Sequence, residues 1–338
     1  MSDAPSVVGV RASRCWRVLT LLLLYVVTLA ACSQPSALAA GRLPIVRGRD
    51  LIYQDRVLQL RGINFNNEPA LSCCGGPNID AIDYGPSDYA QVAAFGGNSV
   101  RFGLDYAWYE TDRTRFFQVL DQHVAWAAAN HLWMYLVLYS APGYGASQTT
   151  FWRNRRDQQA VIRFWRDVAT HYAASTTVLG YDVLNEPSPP SLAAWTSLAR
   201  DLHSAIAAVD PNHLVILEAA TDPNSVPDVS GPDVVFSVHN YPGGDDYPGP
   251  TPRSWRMNVP LIVGEFGARP SDPDPTGWVA SEIARYARDG VSWTYFVMHE
   301  GPGDYGLYAC GRADQLACPW TAMINVVAAG MHGSLRPA

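Results

Sequence analysis

Val178-Leu179-Gly180-Tyr181-Asp182-Val183-Leu184-Asn185-Glu186-Pro187 and Leu261-Ile262-Val263-Gly264-Glu265-Phe266-Gly267 share one plan. Each is a short, mostly apolar run, and each carries a glutamate at its carboxyl end. Runs of this length and apolarity read as strands buried on both faces, the habit of parallel sheets. Six more such runs are Leu58–Asn64, Asn98–Leu104, Trp133–Tyr139, Leu214–Glu218, Val234–His239 and Val291–Val297, and the glutamate-bearing runs span Val178–Leu184 and Pro260–Phe266. Eight is the number of strands that a closed (β/α)8 barrel needs, so the fold class is α/β, a TIM barrel. The rival architecture, an open doubly wound sheet, normally uses fewer strands.

Between the runs lie helical patterns at Ser87–Phe95, Arg113–Asn130, Arg155–Ala173, Ser191–Val209 and Gly277–Asp289, with a last one near Trp320–Gly330. Pro86 and Pro190 stand near helix starts, where a missing N–H costs little. Residues 222–231 and 242–252 are rich in Pro, Gly and Asp and read as long loops. Ile45 to Leu60 reads as a small hairpin turning near Gln54-Asp55 and capping the bottom of the barrel. No repeat and no second globular domain is visible.

The chain has 338 residues, 48% hydrophobic and 16% charged, with a net charge of −7. No basic stripe is present, so nucleic acid is not an expected partner. Every basic side chain other than histidine is arginine, a pattern that codon bias explains. The absence of lysine excludes a Schiff-base lysine and a phosphate-loop lysine. Gly301-x-Gly303-x-x-Gly306 contains Pro302 and opens no βαβ unit, so it reads as a loop. His299-Glu300 lacks the second histidine of a zinc protease, and no Gly-x-Ser-x-Gly elbow occurs. Asp245-Asp246 reads as solvated loop acids rather than a calcium site. No metal and no cofactor is expected.

Residues 1–31 read as a targeting segment. Arg11, Arg14 and Arg17 precede the apolar stretch Val18–Leu29, too short for a membrane span and of signal-peptide length. The stretch ends in Leu29-Ala30-Ala31-Cys32, which resembles a bacterial lipobox and would make Cys32 the lipid attachment point. Cleavage near Ala39 or Ala40 is the alternative. Residues 32–44 read as a flexible tether and 45–338 as one barrel domain. Loss of residues 1–31 removes three arginines and one aspartate and takes the net charge from −7 to −9. Such a domain would depend on its lipid to stay at an anionic bilayer. The expected location is therefore the bacterial envelope, on the outer face of a membrane or secreted, as a monomer. Export favours disulfides among Cys73, Cys74, Cys310 and Cys318, in any of three pairings.

Two carboxylates delivered to one end of a barrel suit acid/base and nucleophilic chemistry at a glycosidic bond. With these residues the chain resembles glycoside hydrolase family 5, retaining β-glycosidases of clan A built on (β/α)8 barrels, cellulases and mannanases among them. The resemblance covers Leu60-Arg61-Gly62-Ile63-Asn64 through Trp293-Thr294-Tyr295-Phe296. It implies that Glu186 is the acid/base and Glu265 the nucleophile, and that Arg101 and His239-Asn240-Tyr241 match the family's second- and sixth-strand residues. Arg101 and the Tyr241 hydroxyl would keep Glu265 ionised. Asn185 would donate to the sugar 2-hydroxyl, and His239 would orient Glu186. Glu218, ending its own run, is the rival carboxylate, whereas Glu68, Glu110 and Glu300 read as loop or rim residues.

Two departures bear on substrate. Tyr139 stands where the family usually has a histidine. Phe296, with Trp293 three residues earlier, stands where it usually has a tryptophan. Phe65, Trp108, Tyr144, Trp152, Tyr247, Trp255, Tyr305 and Tyr308 are candidate sugar platforms, about three of which are expected to serve, since aromatic residues are more often core. The expected partner is an oligo- or polysaccharide: β-glucan, mannan or a related glycan. A catalytically silent carbohydrate-binding lipoprotein and an envelope-glycan transglycosylase are the alternatives on the same barrel.

Overall fold

The computed structural model describes residues 43–337 except 73, 75, 145–147, 221, 223, 245–246, 248–256, 302, 310–317 and 334. The chain divides into two units, Met1–Leu38 and Ala39–Ala338. The first lies wholly outside the described residues, as do Cys32, the targeting segment and all of the tether but its last two residues. Among the described residues no helix is long and apolar enough to cross a membrane.

The eight runs form eight strands, β4 (Arg61–Phe65), β5 (Ser99–Asp105), β6 (Trp133–Ser140), β7 (Val178–Asp182), β8 (Leu214–Glu218), β9 (Val234–Asn240), β10 (Leu261–Phe266) and β11 (Ser292–Tyr295). They pair in parallel in chain order, and β11 returns to β4 to close the barrel. Five of the strands are buried along their whole length, which accounts for their near-continuous apolarity. Only the first residue of β4 is partly exposed among the others of that strand.

The N-terminal hairpin gains a strand. β1 (Ile45–Arg47), β2 (Asp50–Tyr53) and β3 (Arg56–Leu58) form an antiparallel sheet of three. Gln54 and Asp55 both have positive φ, 50° and 59°, the backbone that a two-residue hairpin turn requires. Leu51, Tyr53 and Leu58 pack with Trp133, Tyr135, Leu179, Ile216 and Ile262 in a cluster separate from the main core. Tyr53 meets Trp133 edge-on at 4.9 Å. The small sheet thus seals the end of the barrel from which the strands start.

Six expected helices are present as α1 (Pro86–Ala94), α3 (Arg113–Ala129), α5 (Arg155–Tyr172), α6 (Leu192–Ala207), α7 (Pro275–Asp289) and α8 (Thr321–Met331). Two short helices, α2 (Tyr106–Thr111) and α4 (Thr149–Arg153), precede α3 and α5 and fall below the length at which periodicity can be read. In α5, Val161, Phe164, Trp165, Val168 and Tyr172 recur every three to four residues and are buried against the barrel. Asp112, Asn154, Ser191 and Asp274 cap α3, α5, α6 and α7 with their side chains. No helix occurs among the described residues between β8 and β9.

His123 of α3 is buried against Phe102 and Trp126, its Nδ1 3.0 Å from the Tyr89 hydroxyl. Burial holds its pKa down to about 3. Between that value and the unfolded value near 6.5, the unfolded chain binds a proton that the native protein refuses, so stability falls as pH drops through this window. His123→Gln removes the titration. Its loss of stability from pH 7 to pH 4.5 is expected to be smaller than the native protein's by about 2–3 kcal/mol, read by urea unfolding at both pH values. Parallel curves for the two proteins would exclude His123 as the cause.

Candidate functional site at the C-terminal ends of the strands

Seven strands deliver a polar or charged residue to the same end of the barrel: Asn64 from β4, Arg101 from β5, Tyr139 from β6, Asp182 from β7, Glu218 from β8, His239 from β9 and Glu265 from β10. Asn64 and Arg101 are register partners. The pairing of β10 with β9 shifts between Val263 and Glu265, which sets Glu265 opposite His239. Gly264 permits the shift, since a Cβ there would lie 2.4 Å from Ser237 Oγ.

Arg101 has no exposed surface and uses its whole guanidinium. Nε donates to Asp182 Oδ2 at 3.0 Å. Nη1 donates to Asn64 Oδ1 at 3.0 Å, to the Tyr139 hydroxyl at 2.8 Å and to Glu265 Oε1 at 2.5 Å. Nη2 donates to Asn185 Oδ1 at 2.8 Å and to Glu218 Oε1 at 2.7 Å. A planar five-donor fork is the one side chain that can serve so many acceptors in fixed directions.

Glu265 is buried, accepts from three donors and has a fourth charged group close by. The Tyr139 hydroxyl and Arg101 share its Oε1, and the Tyr241 hydroxyl donates to Oε2 at 2.8 Å. Burial pushes its pKa up, yet the charges of His239 and Arg101 and the bond from Tyr139 outweigh burial and hold the carboxyl below its ordinary value. His239 Nδ1 supplies the fourth contact, 3.4 Å from Oε2. Glu218 shows the same balance: burial raises it, His239 and Arg101 oppose, and the carboxyl is held down at about 2. Burial lowers His239, and the surrounding carboxylates Glu265 and Glu218 together lift it well above the usual imidazole value. Asp182 moves the other way, raised by burial and then by the charge of Glu218.

Glu186 follows β7 with its side chain 59% exposed, facing a cleft of about 340 Å³ lined also by Pro187, Glu218, His239 and Tyr241. His239 Nδ1 stands 2.8 Å from Glu186 Oε1. One ligand atom each from Glu186, His239 and Glu265 lie within 4.8 Å of one another. A cation could be held by such a set, but two carboxylates with an imidazole between them are equally the parts of a proton-transfer site. The Tyr144 hydroxyl donates to the Asn185 carbonyl at 2.7 Å and Gln148 Nε2 to the Glu186 carbonyl at 2.8 Å.

The structure thus brings Arg101, Tyr139, Asn185, Glu186, His239, Tyr241 and Glu265 together at one end of the barrel. Phe296 joins them at the rim, half-buried, its ring 6.3 Å from Tyr241 and 5.8 Å from Tyr305. Trp293 does not reach the site. It is 1% exposed and packs outward against Phe266, with Gly330 of α8 close to its ring, because it lies on the opposite face of β11 from Thr294. Phe65, Trp108, Tyr247 and Tyr308 are also buried core residues, whereas Tyr144, Trp152 and Tyr305 keep partial exposure, and Trp255 lies outside the described residues. Asn64 and Asp182 are additions. Their signal was present: a polar amide and a charge inside otherwise apolar strands.

A family model described as cellulase (glycosyl hydrolase family 5) matches residues 83–301. A β-xylosidase of Phanerodontia chrysosporium is 29% identical over 153 residues, covering 40% of this chain and 32% of its own. Endoglucanase 3 of Fibrobacter succinogenes is 25% identical over 280 residues, covering 68% of this chain and 39% of its own. The chain therefore spans well under half the length of these curated relatives. A β-glucanase from Saccharophagus degradans, solved in complex with cellotetraose, has the same fold, with a TM-score of 0.67 and 15% identity over 86% of this chain and 93% of that one.

Arg101→Lys tests the electrostatic centre. Lysine has three donors and no fork, so it leaves buried acceptors unpaired, a defect that costs about 3–5 kcal/mol. The depressed carboxyls Glu218 and Glu265 contribute stability that is complete above about pH 4.5 and lost as pH falls through their lower folded values. In the variant these values rise, so the acid loss should begin at higher pH. Thermal unfolding at pH 7, 4.5 and 3 measures both effects, and an unchanged midpoint at pH 7 would contradict the assignment.

Proposed function

The chain belongs to glycosyl hydrolase family 5, and from that membership we propose an exported enzyme that cleaves β-glycosidic bonds of a glucan, mannan or related glycan with retention of configuration. Glu265 is the nucleophile and Glu186 the acid/base. The carboxylate pair carries the proposal: their oxygens approach within 4.8 Å, in keeping with the separation of roughly 5–5.5 Å that a covalent glycosyl-enzyme requires and too close for the intervening water of an inverting enzyme.

The two glutamates differ as their roles demand. Glu265 is buried, ionised and gripped at Oε1 by Arg101 and Tyr139, which leaves Oε2, held by Tyr241, to attack the anomeric carbon. As the C–O bond to the leaving group breaks, Glu186 delivers a proton to that oxygen. The sugar passes through an oxocarbenium-like transition state to an ester on Glu265. Glu186 then takes a proton from water, whose oxygen attacks the anomeric carbon and returns Glu265 as carboxylate. Arg101 fixes the Asn185 oxygen, which turns the Asn185 Nδ2 donor toward the sugar 2-hydroxyl. Phe296 and Tyr305 offer ring faces beside Tyr241 for stacking on a sugar. Tyr144 and Trp152 would line the opposite wall.

Export rests on the basic, apolar and Cys32 order of residues 1–32, with residues 32–44 as tether and 45–338 as the catalytic domain. Cys74 and Cys318 are disulfide-bonded, which favours an oxidising compartment. Cys73 and Cys310 lie outside the described residues.

Incubation of the full chain with 2-deoxy-2-fluoro β-glucosyl, β-mannosyl and β-cellobiosyl fluorides, followed by peptide mass spectrometry, is expected to give one covalent adduct, on Glu265. An adduct on another carboxylate would overturn the assignment. Binding of glycans with no adduct from any of the three would favour a silent carbohydrate-binding protein.

A further inference from the structure

We propose that Glu218 is a positioning residue for the acid/base, holding Glu186 at both its backbone and its carboxyl. The proposal rests on the roles assigned to Glu186 and Glu265 above.

Glu186 has φ +43°, the left-handed region that residues with a Cβ rarely occupy, so its surroundings have to hold it there. Two hydrogen bonds do so. Its carbonyl accepts from Gln148, an exposed contact. Its amide N–H donates to Glu218 Oε2 at 2.7 Å, and Glu218 is only 2% exposed. The same Oε2 lies 3.5 Å from His239 Nε2, while Nδ1 of that ring stands 2.8 Å from Glu186 Oε1. Glu218 therefore acts on Glu186 twice, directly through the main chain and through the imidazole at the carboxyl. Its other oxygen accepts from Arg101, the residue that grips Glu265. Glu218 itself is anchored, since its carbonyl accepts from Trp195 Nε1 at 2.9 Å.

Glutamine has the same shape but one acceptor and one donor. At 218 it would face two donors, Arg101 Nη2 and the Glu186 N–H, and would have to turn its own N–H groups on one of them. The charge that faces His239 would also vanish. The groups facing that ring are Glu186, Glu218 and Glu265, and those facing Glu218 are His239, Arg101 and Asp182.

A residue that acts through the acid/base matters when the leaving group needs a proton and little when it does not. For Glu218→Gln, kcat/KM on phenyl β-cellobioside is expected to fall about 100-fold, in the range of general-acid contributions. On 2,4-dinitrophenyl β-cellobioside, whose leaving group departs unprotonated, it should stay within about threefold of native by the same reasoning. Glu218→Asp keeps the charge for Arg101 but gives up the reach to the Glu186 amide. It should show the same dependence if the glutamine variant fails to fold. Equal losses on both glycosides, or no loss, would overturn the proposal. Glu186→Ala is the control, because without leaving-group dependence there the acid/base assignment fails, not the role of Glu218. If the native enzyme cleaves neither glycoside, the substrate assignment fails separately, and NMR titration of His239 decides. Its pKa should drop by about one unit or more in Glu218→Gln, and an unchanged titration would refute the coupling.

Discussion

Arg101 is a fully buried cation at the point where five strands deliver Asn64, Asp182, Glu218, Glu265 and Tyr139. In low dielectric no one of these acids tolerates its charge alone, and a lone guanidinium would tolerate burial no better. Each is stable there because the others are. The mutual dependence fixes side-chain directions that loops could not fix, and it couples the site to closure of the barrel. If β5 slipped by one residue against β4 or β6, Arg101 would exchange faces and the acids would be left unpaired.

The charge distribution around that centre also separates two glutamates of identical chemistry. Glu265 lies inside the ring of donors and stays ionised. Glu186 lies one residue beyond the last shared support, Asn185, with most of its side chain in the cleft. In the proposed mechanism it is position relative to Arg101, rather than residue type, that separates nucleophile from proton donor. Tyr139 fits this logic. It occupies the place where the family resemblance leads one to expect a histidine, and its hydroxyl accepts from Arg101 while donating to Glu265. A neutral donor at that place adds no further positive charge to a centre that already holds Arg101 and a charge-favoured His239.

The rest of the fold serves the same end. The three-stranded sheet closes the far mouth of the barrel by packing Leu51, Tyr53 and Leu58 against the apolar side chains at the strand starts. Helix α6 gives more than packing, because Trp195 reaches through to the Glu218 carbonyl. Trp165 of α5 does the same at the Val183 carbonyl, at the exit of β7. Both indoles satisfy backbone acceptors at strand ends that no neighbouring strand reaches, and both steady the segment that presents Glu186.

The sequence alone determined the barrel, because a parallel strand buried on both faces must be apolar throughout and eight such runs are hard to disguise. It also singled out Glu186 and Glu265, because a charge ending an apolar run has few structural reasons to be there, while Arg101, His239 and Tyr241 came from the family resemblance. The direction of side chains was not legible in the same way. Trp293 and Phe296 are three residues apart, and only the alternation of faces in β11 sends one into the helix layer and leaves the other beside Tyr241. Asp182 gave a signal of its own, yet nothing local said that its partner lies 81 residues back at Arg101. The left-handed backbone of Glu186 and its bond to Glu218 belong wholly to the tertiary structure. Electrostatic pairing across a barrel depends on distances between strands remote in sequence, and closure of the barrel sets those distances.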